Sequence, residues 1–141
     1  MRPRFLAAAA LALGCALPLS GCAAMTGELA PYKKPVSEAQ LVGTWNGDCD
    51  AKLVIGSDHK LTTTGFPTGA DSQTLKITSR FTGSGSWAMV ERFGDLPAHV
   101  NLDLDNTPND LDYAAGHDGS LVLAVTVGDP NDGVGCRFTP A

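Results

Sequence analysis

The chain predicts an all-β domain, a small antiparallel up-and-down barrel of about eight to nine short strands, on three observations. Short segments alternate apolar and polar residues with period two, most clearly where Val100, Leu102 and Leu104 face one way and Asn101 and Asp103 the other. Turn-forming residues punctuate these segments roughly every 8–12 positions. No window carries a helical stripe of apolar residues. Strands are therefore expected near residues 41–46, 51–56, 60–65, 74–81, 86–91, 98–104, 111–115, 120–127 and 135–139. Ser57-Asp58, His117-Asp118-Gly119 and Asp129-Pro130-Asn131-Asp132-Gly133 supply hairpin turns, the last with glycine where a left-handed residue is required. The stretch 67–82 carries the weakest pattern. A barrel domain over 39–141 takes in all of these strands, and 141 residues of ordinary apolar content suit one small domain plus a targeting segment.

Residues 1–21 read as an export signal. Arg2 and Arg4 make a cationic start, and residues 5–19 form an Ala/Leu-rich stretch. Its length of roughly 15 is that of a secretory signal and falls short of the roughly 20 residues a membrane span needs. Leu19-Ser20-Gly21-Cys22 resembles the lipobox of bacterial lipoproteins; Leu13-Gly14-Cys15 is a weaker copy, with Ala12 where that family prefers Leu. The resemblance implies that the Cys22 thiol carries diacylglycerol, that the signal is cut just before it, and that the chain is moored on the extracytoplasmic face of a bacterial membrane. Each buried CH₂ of the acyl chains contributes about 0.8 kcal/mol to such anchoring. Residues 22–38 lack apolar periodicity and include Pro31 and Pro35, so a flexible linker is expected between lipid and barrel.

With Cys15 lost in the signal and Cys22 used by lipid, Cys49 and Cys136 remain. In an oxidising compartment two leftover thiols are most simply a disulfide. The chain-entropy model gives a bridge over a loop this long about 4.6 kcal/mol, which rivals the net stability of a small domain. Neither a C-x-x-C spacing nor a neighbouring His points to redox or metal chemistry at this pair.

Two segments echo one another: Gly43-Thr44-Trp45 and Gly85-Ser86-Trp87 each place glycine two residues before tryptophan at a strand start. The first resembles the G-x-W opening of lipocalins and related calycin barrels. That resemblance implies a lipocalin-like barrel in which Trp45, on the first strand, packs under Arg137 of the last, with Trp87 as a second core anchor. Asp112-Tyr113 is similar to the family's T-D-Y motif, with Leu111 in place of Thr. The segments "LVGTW", "LTTTGFP", "GSGSW" and "GDPNDG" resemble small lipoproteins of actinobacteria, a likeness that implies an anchor and a fold without an activity.

Charge narrows the partner class. Arg2 and Arg4 are the only charges before Cys22, so the chain beyond it holds eight basic and fifteen acidic residues, a net of about −7. That sign excludes nucleic acid and disfavours an electrostatically held anionic surface. From Asp95 onward eight aspartates face a single cation, Arg137. Asp103, Asp105, Asp110 and Asp112 form the candidate acidic binding face, whose expected partner is a basic protein. "DLDNTPNDLDYA" has neither glycine at its sixth position nor glutamate at its twelfth, so it fails the EF-hand pattern and reads as solvated carboxylates. His59, His99 and His117 have no zinc-type spacing, and "GSGSW" is no nucleophile elbow. No catalysis, cofactor or metal is expected, and a monomer is. Small barrel lipoproteins that inhibit lysozyme are similar in anchor, size and disulfide, although their S-G-x-x-Y motif is absent here. A binding or inhibitor module is thus the leading reading; a lipocalin-like carrier of a small apolar ligand is the alternative, disfavoured by short strands and only nine aromatic residues.

Intact mass spectrometry of the membrane fraction is expected to show a chain beginning at Cys22, heavier by its lipid and lighter by the two hydrogens of one disulfide. A secreted chain with a free thiol at Cys22 would overturn the anchor.

Overall fold

A computed structural model describes residues 29–141; the expected export signal at residues 1–21 and Cys22, the expected site of lipidation, lie outside the described residues. Eight strands, β1 (Gly43–Gly47), β2 (Lys52–Ile55), β3 (Lys60–Asp71), β4 (Lys76–Val90), β5 (His99–Leu104), β6 (Thr107–Ala115), β7 (Leu121–Thr126) and β8 (Gly135–Pro140), close into a barrel. Each strand pairs antiparallel with its neighbour in sequence, and β8 returns to β1. This is the up-and-down barrel that the alternation predicts, with the inward set Leu53, Ile55, Leu61, Phe66, Val100, Leu102, Leu111, Leu123 and Phe138 almost wholly removed from water.

Two of the nine expected strands are one. β4 runs unbroken through Thr82-Gly83-Ser84-Gly85, a stretch that reads as a turn from composition alone. Its glycines serve close approach instead. A Cβ on Gly85 would collide with the carbonyl oxygen of Asp103 on β5, and one on Gly83 would meet the Phe81 ring at 2.8 Å. The first half of β4 pairs with β3 and the second half with β5, so the strand changes partner at these residues.

The β3–β4 hairpin thereby outgrows the barrel wall. Beyond Thr64, β3 has no β2 partner, and beyond Gly85 towards its start β4 has no β5 partner. Register shifts between Thr63 and Phe66 and around Gly69 mark bulges that bend this arm. Gly65, at φ +66°, supplies the left-handed residue at the first of them. The arm folds over the end of the barrel that holds the β1–β2 turn: Phe66 and Pro67 are fully buried, and Phe66 stacks on Phe138 at 5.9 Å. Arg80 pins it there, donating from Nη1 to the carbonyl oxygens of Cys49 (2.7 Å) and Gly65 (2.9 Å).

The opposite end is closed by a short helix, α1 (Glu38–Leu41), where the alternation had Leu41 opening the first strand. Ser37-Glu38-Ala39-Gln40 is a capping-box sequence, and Gln40 Oε1 accepts the Ser37 N–H at 2.9 Å. Leu41, fully buried, plugs this end, and its carbonyl accepts the indole N–H of Trp45 at 2.8 Å. Within the stretch expected as linker, Pro31 bridges Ala114, and Tyr32 and Val36 pack against the core.

Cys49, in the β1–β2 turn, is bonded to Cys136 on β8, with Cα atoms 5.4 Å apart. Replacing both by Ser is expected to lower the free energy of unfolding by about 2–5 kcal/mol in urea titrations; a loss below ~1 kcal/mol would show that β1 and β8 hold together without the bridge.

Candidate functional site

The four aspartates singled out from the sequence lie on one hairpin. Asp105 and Asn106, at φ 52° and 60°, form the two-residue turn between β5 and β6, the signature of a type I′ hairpin. That turn sets Asp103 opposite Pro108, Asn101 opposite Asp110 and His99 opposite Asp112. Alternation with the buried Val100, Leu102, Leu104 and Leu111 sends all six of these side chains outward. Asp103, Asp110 and Asp112 therefore share the outer face, with Asp105 at its tip.

Two residues not singled out from the sequence organise that face. Asn101 donates from Nδ2 to Asp110 Oδ1 at 2.8 Å. His99 Nε2 stands 3.6 Å from the same oxygen, while its Nδ1 meets the Pro97 carbonyl at 3.0 Å. Their place beside Asp103 was readable from period two; their pairing with Asp110 required the turn at 105–106.

Next to the hairpin a groove of about 1020 Å³ crosses the outside of β6, β7 and β8. Register sets Asp112, Ala124 and Arg137 side by side across these strands, so a small residue lies between an acid and a base. Asp48 and Asp132 line the same groove, as do Leu29, Pro31, Pro97 and Ala98. Although exposed by area, Asp112 is partly desolvated here, and this raises its carboxyl above the usual 3.8. The charge on His99 opposes that shift and the one on Asp110 adds to it. Tyr113, the next residue, points inward; burial pushes its phenol up to about 12, and its hydroxyl finds no hydrogen-bond partner among the described residues.

The closure residues of the calycin resemblance are arranged differently. Gly47 opposite Phe138 and Trp45 opposite Pro140 put Trp45 on the inner face with Phe138. Arg137 alternates with the buried Cys136 and Phe138 and so belongs to the outer face. Strand alternation thus separates Trp45 from Arg137 across the sheet. Trp87 is buried as expected, donates its indole N–H to the Gly56 carbonyl at 2.8 Å, and lies 5.0 Å from the His59 ring. His117 sits in the β6–β7 turn, apart from both other histidines.

Asp48 comes within 4.8 Å of the two cysteine sulfurs, a possible ligand trio by distance. The sulfurs are bonded to each other, whereas metal binding uses thiolates. Asp48 Oδ1 instead accepts the backbone N–H of Arg137 at 2.9 Å. Comparison of the chain with protein-family models, curated proteins and solved structures finds no match.

Because the folded-state value of Asp112 is raised, the native state holds its proton to higher pH than the unfolded chain does. Its contribution to stability is therefore lost as pH rises from the ordinary carboxylate value through the raised one. Asp112→Asn is expected to raise the melting temperature at pH 7, by a stability gain under about 1 kcal/mol for so exposed a group. That advantage should shrink towards zero below the usual carboxylate range; one independent of pH would contradict the desolvation argument.

Proposed function

We propose that this chain is a lipid-anchored, non-catalytic binding or inhibitor module on the extracytoplasmic face of a bacterial membrane, and that it recognises a basic protein through the outer face of β5–β6 and the adjoining groove. The observation that carries this reading is the juxtaposition of Asp103, Asp110 and Asp112 on one hairpin face with a groove that Asp48 and Asp132 also line. A negative concavity focuses its field on a cationic ligand, raising association rates in a salt-dependent way. The anchor itself rests on the lipobox at residues 19–22.

The filled interior favours this reading over a carrier. Phe66, Trp87, Leu102, Leu111, Leu123 and Phe138 occupy the space an apolar ligand would need, whereas the groove runs along the outside of the sheet.

The test is capture of extracytoplasmic proteins by the purified chain, set against a variant with Asp103, Asp105, Asp110 and Asp112 all changed to Asn. Asn tolerates the left-handed backbone at position 105, so the turn is retained. The wild type should retain a cationic partner that the variant loses by roughly tenfold or more, with a similar loss on raising salt to about 1 M. Equal capture by both proteins would dismiss the acidic face.

A further inference from the structure

The loop between β4 and β5 carries an apolar display that neither the core nor the acidic face uses. Phe93 and Leu96 bridge one another through reciprocal backbone hydrogen bonds, Phe93 N–H to Leu96 C=O at 3.1 Å and Leu96 N–H to Phe93 C=O at 3.0 Å. Gly94, at φ +59°, takes the first central position of this two-residue turn, as type II′ geometry asks. The tip is thus a built hairpin end that holds two large apolar side chains side by side. Phe93 is 82% exposed and Leu96 64% exposed, the highest values among the large apolar side chains of the described residues. Val90, the last residue of β4, and Val42, which follows α1, are also exposed and lie at the same end of the barrel.

That end is where the chain would meet its anchor. Leu29 and Pro31 border the groove together with Pro97 and Ala98, which immediately follow the tip. Six residues lie between Cys22 and Leu29, a reach of at most about 25 Å over the seven Cα-to-Cα steps. Resting on the anchor proposed above, we infer that the Phe93–Leu96 hairpin tip is a second membrane contact, inserting its two apolar side chains at the headgroup boundary. Glu91, Arg92 and Asp95 surround the tip with mixed charge, so insertion is apolar and indifferent to lipid charge.

The experiment uses the acylated chain, purified from membranes and reconstituted into phosphatidylcholine vesicles with brominated acyl chains. Trp45 and Trp87 are buried, so Phe93→Trp adds the one indole placed to meet lipid. This added emission is expected to be quenched by bromine near the headgroups, equally at low and high salt, while wild-type emission is not. Phe93→Ser should also speed transfer between vesicles about tenfold. A chain that floats with the vesicles yet shows neither effect overturns the second contact and leaves the anchor standing. One that does not float overturns both.

Discussion

Everything at one end of this barrel depends on the seam between β1 and β8. An up-and-down meander forms seven of its eight interfaces between neighbours in sequence, but the eighth must join strands at opposite ends of the domain, and it does so with only three residue pairs, Trp45 with Pro140, Asn46 with Thr139 and Gly47 with Phe138. Unclosed, β1 and β8 would be two edges with unpaired backbone groups. The seam is reinforced by bonds outside the ladder. Asp48 donates its N–H to the Arg137 carbonyl at 2.9 Å and accepts the Arg137 N–H on its side chain. One residue on, Cys49 reaches Cys136. Gly47 makes room for this, since a Cβ there would come within 2.7 Å of the Cys136 sulfur and 2.9 Å of the Phe138 ring. The arm's anchor, Arg80, in turn grips the Cys49 carbonyl, so the lid on this end is organised by the same turn that closes the wall.

Period-two alternation made most of the wall legible, because a filled barrel buries one face of every strand and leaves the other wet. What it could not reveal were features set by partners distant in sequence. Gly83 and Gly85 read as a break, yet their lack of a side chain is what lets β4 pass between β3 and β5 without one. The Trp45–Arg137 packing implied by the calycin likeness depended on the register of β1 against β8, which no local pattern encodes. Other features have local signals in the sequence. Ser37 followed by Gln40 is a capping box, and Asp105-Asn106 is a pair that tolerates left-handed backbone, so both α1 and the β5–β6 turn are written locally.

The candidate face was half legible for a related reason. Composition merges two kinds of aspartate that the structure separates. Asp58, Asp71, Asp118 and Asp129 each accept a backbone N–H two residues ahead, so they build turns. Hydrogen bonds from Thr74 and Ser120 hold Asp71 and Asp118 below the usual carboxylate range, a stabilisation present at neutral pH and lost on acidification. Asp103, Asp110 and Asp112 stand on strands, where alternation and not turn chemistry decides their direction. The net charge of the chain therefore merges turn-building carboxylates with outward-facing ones, and the strand-borne set is the part on which the proposed recognition rests.

Where the N-terminal segment attaches bears on how such a face would be presented. β5 stops pairing with β6 at Asp112, leaving the last residues of β6 with an open edge. The segment at Ala30–Tyr32 fills it: Ala115 donates to the Ala30 carbonyl at 2.8 Å, and Tyr32 donates to that of Tyr113 at 3.2 Å. An edge that could recruit a foreign strand is covered by the chain's own approach, and the approach is fixed to the wall beside the groove. A tether fixed in this way restricts the tilt of the barrel as a freely jointed one would not. On the reading that Cys22 is the anchor, the α1 end and the Phe93–Leu96 tip lie towards the lipid, and the β5–β6 turn with Asp105 lies at the far end. The acidic strands would then run outward from the membrane on a hydrogen-bonded wall, so the proposed association would order little of the protein and leave more of the contact energy as affinity.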